Sequence, residues 1–351
     1  MSQQYRIALI GGGLIGGSIS LALSRLNIEH FLIEQNSEVE KILEGKGSAF
    51  KHIDDLDVNL VIVAVPPEVN GAVVESVLDR FTNALVIDTA SIKEPISKQL
   101  VNNKNINRFI GTHPMAGKEQ SGAAFADMNL FADRVWIICP SDVSGNYIEF
   151  LSEFLSHLGS IVVQMEPLEH DRVISKISHL PQVLSSTLAS LIDANSDRVD
   201  LAGQGFRDVT RIAKSNSELW SQILIGNSDN LVLDLGGIIQ RLSELLESLK
   251  NNDKQAIRNF FDQAQTQAMA FPGKHGQHKP GFASFKVRVK DEPGSLAALF
   301  HLAGNLNLNI EDVYIDHVVN RPVALVTLYV DEVDLDRARK AFQLDGWQLR
   351  D

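Results

Sequence analysis

The run Arg6-Ile7-Ala8-Leu9-Ile10 passes directly into Gly11-Gly12-Gly13-Leu14-Ile15-Gly16-Gly17-Ser18 and then into helical apolar spacing through Ile19, Leu21, Ala22, Leu23 and Leu26. Strand, glycine turn and helix in that order form the phosphate-binding turn of a dinucleotide fold. Gly11 permits the tight turn, Gly13 lets the backbone approach a pyrophosphate, and Gly16 lets the helix pack on the strand, its amide end facing the phosphates. A second apolar run, His30-Phe31-Leu32-Ile33, ends in Glu34. An acidic side chain there would hold a ribose 2′-hydroxyl. Gln35-Asn36-Ser37 follows without an arginine to neutralise a 2′-phosphate, so NAD is expected rather than NADP.

Further parallel strands are expected at Leu60 to Val65, Ala84 to Asp88, Arg108 to Gly111 and Val135 to Ile138. Their unbroken apolar character suits strands covered on both faces, and the first domain is therefore expected to carry a Rossmann-type parallel sheet. In such sheets ligands bind beyond the carboxyl ends of the strands, where the chain places Val65-Pro66-Pro67, Asp88-Thr89-Ala90-Ser91-Ile92-Lys93 and Thr112-His113-Pro114. The candidate cofactor contacts are Gly11, Gly13, Leu14, Ile15, Gly16, Glu34, Val65 and Pro66. His113 lies in a loop of small residues, and histidine is the side chain best suited to act as a base near neutral pH. Ser91 has two readings, as N-cap of the helix containing Lys93 to Leu100 or as a catalytic hydrogen-bonding group.

Charge and cysteine usage narrow the classes. Lys and Arg total 32 against 44 Asp and Glu, a net charge of −12, which opposes binding to nucleic acid or an anionic membrane surface. An anionic substrate must therefore meet locally placed cations. The single Cys139 excludes an intramolecular disulfide and a cysteine-based metal cluster, and no metal is expected. Its apolar flanks suggest a buried strand residue, with a catalytic thiol as the alternative. Met1 to Arg6 carries no apolar signal core and no window has the run of apolar residues that a membrane span needs. A soluble, cytoplasmic protein is expected.

From Glu169 to His275 helical periodicity replaces the strand pattern. Val173, Ile174, Ile177, Leu180, Val183, Leu184 and Leu188 form one stripe, with Pro181 expected to kink it. Leu231 to Leu249 forms a second long apolar helix, of the kind that builds a dimer interface. Between them Phe206-Arg207-Asp208-Val209-Thr210-Arg211-Ile212-Ala213-Lys214 concentrates cations in an acidic chain. Arg211 can grip a carboxylate bidentately, or form a surface ion pair with Asp208.

Taken together, Gly11 to Gly16, Asp88 to Lys93, His113-Pro114-Met115-Ala116-Gly117 with Glu119, Ser121 and Gly122, His170-Asp171-Arg172, Ser178-His179-Leu180-Pro181, and Phe206 to Ala213 followed by Trp220 resemble the prephenate dehydrogenases, a family that includes arogenate dehydrogenases. The resemblance covers roughly residues 5 to 275. It implies NAD-dependent oxidative decarboxylation of prephenate to 4-hydroxyphenylpyruvate, with arogenate as the alternative substrate. It also implies His113 as the group that deprotonates the ring hydroxyl, Ser91 as its hydrogen-bonding partner, Arg211 as the grip on a substrate carboxylate, and His179, Glu119 and Ser121 as pocket residues. Lys118, Gln120 and Gln182 depart from the residues many family members have there. A Lys118 pointing inward would disfavour the ammonium group of arogenate; the alternative is a Lys118 solvated on the loop surface.

Phe271 to Gly281 is rich in Gly, Pro and cations and is expected to be a linker. Beyond it, strands at Phe285 to Val289, Ile310 to His317, Val323 to Val330 and Trp347 to Leu349, with helices at Ser295 to Leu306 and Leu335 to Phe342, give a β-α-β-β-α-β order. That order is similar to an ACT domain of ferredoxin-like topology, and the resemblance implies a tyrosine effector near Asp291 to Leu296 and Asn309; a purely structural oligomer module is the alternative. The expected organisation is a Rossmann domain over 1–168, an all-helical substrate and dimerisation domain over 169–275, a linker over 276–284 and an ACT-like domain over 285–351. A homodimer is expected. The rival readings are a dehydrogenase for another hydroxy acid and a non-enzymatic NAD sensor.

Overall fold

The structure, a computed structural model, describes residues 5–50, 57–118, 120–140, 145–193, 199–269, 281–317 and 323–350. Glu119 and positions 276–280 of the expected linker lie outside the described residues. The chain divides into two compact units, Met1–Ser190 with Thr210–Ile238, and Leu191–Val209 with Ile239–Asp351.

The first unit is built on a seven-stranded sheet. Its strands are β1 (Ile7–Ile10), β2 (His30–Ile33), β3 (Leu60–Val63), β4 (Leu85–Asp88), β5 (Phe109–Pro114), β6 (Val135–Cys139) and β7 (Ile161–Gln164). Between them run helices α1 (Leu14–Arg25), α2 (Ser37–Gly45), α3 (Pro67–Arg80), α4 (Glu94–Leu100) and α5 (Gly145–His157). The spatial order is β2-β1-β3-β4-β5-β6-β7, and β1 to β5 are parallel as expected. Period-two alternation divides the apolar runs between two cores. Ile7, Leu9, Leu60 and Ile62 face one cluster with α1 and α5, while Ala8, Val61 and Val63 face another with α3. Burial on both faces is why the runs are continuously apolar.

Two features of this sheet differ from the sequence expectation. β6 pairs antiparallel with β5, through Gly111↔Cys139 and His113↔Ile137, rather than parallel. An apolar run specifies burial and not strand direction, so the direction was not legible. β7, parallel to β6, was not expected at all, because its residues are mostly exposed at the sheet edge.

Beyond β7 the first unit is helical, with α6 (Pro167–Ile174), α7 (Leu180–Ser190) and α9 (Ser217–Gly226), while α8 (Gln204–Thr210) and α10 (Ser228–Lys250) each begin in one unit and end in the other. The expected kink at Pro181 takes the form of a wide π-helical turn, Ser175–His179, immediately before α7. Proline lacks the N–H for an i→i−4 bond, and its ring crowds the preceding turn.

The second unit contains α11 (Lys254–Ala268), followed by β8 (Phe282–Lys290), α12 (Ser295–Asn305), β9 (Ile310–His317), β10 (Val323–Asp331), α13 (Leu335–Leu344) and β11 (Gln348–Arg350). The four strands form one antiparallel sheet in the order β11-β8-β10-β9. Its buried face, led by Phe285, Val287, Val326 and Leu328, packs on Leu299, Ala338 and Phe342. β8 starts at Phe282, inside the stretch expected as linker, because Phe282, Ala283 and Ser284 pair with Asp331, Val330 and Tyr329. Among the described residues, no helix is long and apolar enough to cross a membrane.

At the end of β4 a charged pair is sealed inside the first unit. Lys93 Nζ lies 2.5 Å from Asp88 Oδ2, with both side chains at most 1% exposed, and donates to Thr112 O at 2.7 Å. Asp88 also accepts from Asn70 Nδ2 and from the backbone N–H groups of Ala90 and Thr112, so the pair ties β4 to β5. Breaking a buried pair leaves an uncompensated charge, a loss of about 3–5 kcal/mol. Lys93→Met is expected to lower the unfolding free energy in urea by about that amount, with Asp88→Asn in the same chain restoring part of it.

Candidate active site

The expected cofactor residues gather at the carboxyl ends of β1, β2 and β3. Register pairs Ile10 with Ile33 and Val63, and the strands continue as Gly11 N–H donating to Ile33 O and Ala64 N–H to Ile10 O. The chain reverses direction across the sheet at this point, where open α/β sheets bind their ligands. Gly11 has φ +94°, and a Cβ there would sit 2.5 Å from Ala64 O. One on Gly16 would sit 1.9 Å from Gly11 O. Both positions therefore demand glycine for backbone packing. Around Gly13, in contrast, a Cβ would meet nothing within 4 Å, and as N-cap of α1 it contributes no side-chain acceptor to the first-turn amides. An open, uncapped helix start suits a pyrophosphate.

Leu14 and Ile15 open α1, partly buried. Glu34 Oε2 accepts from Gly12 N–H at 2.7 Å and Oε1 from the N–H groups of Gln35 and Asn36. The carboxylate is thus held beside the glycine loop, where a ribose diol would lie. Val65 borders Gly11 and Pro66 is the N-cap of α3. These residues fit a nicotinamide dinucleotide.

His113 sits near the end of β5, partly exposed. Its Nδ1 is 2.9 Å from His170 Nε2. His170, on α6 and fully buried, directs Nδ1 to Asp171 Oδ1 at 2.7 Å. The Asp171 carboxylate also accepts the backbone N–H groups of Lys93 and Glu94, each at 2.8 Å, so it caps α4 from outside. The sequence motif His170-Asp171-Arg172 implies no role for the first two residues by itself; the adjacent His-Asp pair within α6 is the signal it carries.

Ser91 does not cap α4, whose N-cap is Lys93. Its Oγ is buried without a hydrogen-bond partner, and His113 bonds to His170 rather than to Ser91. His179, in the π-helical turn, is 1% exposed. Its Nδ1 is 3.2 Å from Asn227 Nδ2, which also donates to Asp171 O at 2.7 Å, and its ring meets Trp220 edge-on at 6.0 Å. Because the amide NH₂ can only donate, His179 Nδ1 is an acceptor.

Burial first, and then the neighbouring His170, Lys93 and His179, hold the His113 pKa well below the usual histidine value. Burial lowers His179 to about 4, against the opposing pull of Asp171. Both imidazoles are therefore neutral at pH 7. Burial pushes Cys139, at the end of β6 opposite Gly111, up to about 12, so it is a core thiol and not a nucleophile.

Arg211 begins a short 3-10 turn, Arg211–Lys214, exposed at the surface. That turn is fixed to α7 by Gln182 Nε2 donating to Ile212 O at 2.9 Å. Ser121 is exposed on the loop after β5. Lys118, on the same loop, is engaged with Asp127 Oδ2 at 3.0 Å and Phe125 O at 3.1 Å. This geometry matches the reading of Lys118 as a loop-surface cation.

A histidine with a lowered pKa at the end of β5, in a sheet whose β1 turn fits a dinucleotide, suits a dehydrogenase, and comparison with known proteins agrees. Residues 22–164 match the prephenate dehydrogenase nucleotide-binding domain and residues 166–263 the prephenate dehydrogenase dimerization domain. Prephenate dehydrogenase of Lactococcus lactis is 29% identical over 319 residues, covering 86% of this chain and 87% of that one. The crystal structure of the Aquifex aeolicus prephenate dehydrogenase with hydroxyphenyl propionate and NAD+ superposes with TM-score 0.67 at 24% identity, covering 76% of this chain and 98% of that one. Synechocystis arogenate dehydrogenase superposes with TM-score 0.62 at 26% identity, covering 75% and 98%. On these grounds the chain belongs to the prephenate dehydrogenase family.

Proposed function

We propose that this protein is an NAD-dependent dehydrogenase that converts prephenate to 4-hydroxyphenylpyruvate and CO₂. The observation that carries the reading is His113, hydrogen-bonded to His170 and with its pKa lowered by burial, at the end of β5 in the same sheet whose β1, β2 and β3 ends fit the dinucleotide. When bound, NAD+ supplies the hydride acceptor. His113 takes the C4 hydroxyl proton as the hydride departs, loss of CO₂ from C1 leaves its electron pair to complete the aromatic ring, and the proton on His113 returns to the phenolate oxygen. A positioned general base contributes about 10²–10⁴-fold, and aromatisation supplies much of the remaining drive.

The other pocket roles follow the same reading. Ser91, whose buried hydroxyl lacks a protein partner, joins the hydrogen bonding of His113 with the substrate hydroxyl. Arg211 orients a substrate carboxylate, while His179, Glu119 and Ser121 line the pocket. Restraint at C1 is required, since an ion pair that tightened on the departing carboxylate would retain it. Residues 1–168 bind the nucleotide and residues 169–275 serve the substrate and the subunit contact. The subunit contact is a homodimer through the dimerization domain, supported by α10, where Val232, Ile239, Leu242, Leu246 and Leu249 recur at helical spacing and all are exposed. The enzyme works in the cytoplasm.

The expected 285–351 domain, extended back to Phe282 by β8, is an ACT-like domain of ferredoxin-like topology that binds tyrosine as a feedback effector. A cavity of about 420 Å³ supports this role; Asp291, Glu292, Pro293, Gly294 and Leu296 line it together with Ile315.

Purified protein given NAD+ and prephenate is expected to form NADH, followed at 340 nm. His113→Asn is expected to lower kcat by about 10²–10⁴-fold with NAD+ binding retained. Turnover of arogenate alone, whose side chain bears an amino group in place of the keto group, would reverse the substrate assignment. Inactivity on both would overturn the reaction. Adding tyrosine to the same assay is expected to slow turnover, and an unchanged rate would remove the effector role.

A further inference from the structure

We propose that His170, fixed by Asp171, is a positioning residue that holds the His113 proton on Nδ1 and so leaves Nε2 as the base. The inference rests on the dehydrogenase reading for its kinetic consequence, but the tautomer itself is a property of the free protein.

The argument begins at Asp171. Its carboxylate, 1% exposed, accepts three hydrogen bonds, from His170 Nδ1, Lys93 N–H and Glu94 N–H. An ionised carboxylate can only accept, so His170 Nδ1 must be the donor. A neutral His170 then has only a lone pair at Nε2, and the 2.9 Å contact with His113 Nδ1 requires His113 to donate there. The remaining ring nitrogen of His113, Nε2, carries the lone pair.

The alternative is a protonated His170 that donates from Nε2 to His113 Nδ1 and leaves the His113 proton on Nε2, useless as a base. The surroundings disfavour it. The groups facing the two rings are Lys93, itself a buried cation paired with Asp88, and His179 from the π-helical turn, together with Asp171. Lys93 already sets one cation against the His113 ring, and a second cation 2.9 Å from that ring would be opposed only by an Asp171 carboxylate shared with two backbone N–H groups of α4. The neutral arrangement also gives a destination to the charge that develops on His113. Once Nε2 takes a proton, the Nδ1–H bond to His170 becomes charge-assisted, and Asp171 stabilises the chain of three behind it. A serine protease triad orients its histidine by the same logic.

Two measurements test the proposal. The first is the ¹⁵N spectrum of the histidine-labelled full-length protein at pH 7, with His113 assigned by its loss in His113→Asn. A protonated Nδ1 and an unprotonated Nε2 are expected. A protonated Nε2 on His113 would overturn the proposal whether or not prephenate is a substrate.

The second compares His170→Gln, which can return an acceptor oxygen near the position of Nε2, with His170→Leu, which cannot. His170→Leu is expected to lower kcat by about 10–10²-fold with KM for NAD+ unchanged, and His170→Gln to recover most of that loss. Equal activity of the leucine and wild-type proteins would contradict the positioning role. Should His170→Leu fail to fold, the glutamine variant decides: its Nδ1-protonated His113 and near-wild-type kcat are expected, and a glutamine variant that folds yet loses kcat with the Nε2 tautomer would overturn the proposal.

Discussion

The buried carboxylate of Asp171 is the constraint on which the site depends. Its three hydrogen bonds join α6 to the start of α4, and its backbone oxygen holds the Asn227 amide that in turn holds His179. One residue, through its carboxylate and its backbone oxygen, therefore sets the position of two imidazoles on separate elements. A buried charge is tolerated only when fully hydrogen-bonded, and here the same bonds that satisfy it orient the functional groups. Stability and preorganisation come from one set of contacts, which is how a general base can be held in productive geometry before a ligand arrives.

Beneath it lies a second sealed charge pair, Lys93 with Asp88, joining β4 to β5. Thr112, between them and Trp136, donates its hydroxyl to Asp88 O and accepts from Trp136 Nε1. His113 is the next residue, so its backbone is fixed by three neighbouring elements. The antiparallel pairing of β6 with β5 puts Ile137 opposite His113, and Ile137 packs in an apolar cluster with Cys139 and Ile174.

Much of this was legible in the residues. The glycine loop, Glu34, the strands through Gly111 and the β-α-β-β-α-β order of the last residues follow from period and turn chemistry, which act locally. Ile310–His317, for example, has the expected bounds. The direction of β6, the exposed edge strand β7 and the π-helical turn before Pro181 were not legible, since each depends on tertiary pairing. Asp88 and Lys93 looked like a strand end and a helix start; only the fold shows them buried against each other. Likewise His113 was visible as a candidate base, but its bond to His170 spans 57 positions in sequence, and no local pattern encodes such a contact.

The pH dependence of kcat/KM for prephenate tests the central claim most directly. With His113 as the proposed base, activity is present above its pKa and lost as pH falls through it. Burial and the neighbouring His170, Lys93 and His179 lower that pKa, and the account therefore predicts an acid limb well below pH 6.5, the ordinary histidine value. A limb at or above that value would contradict the picture of a desolvated, preorganised base.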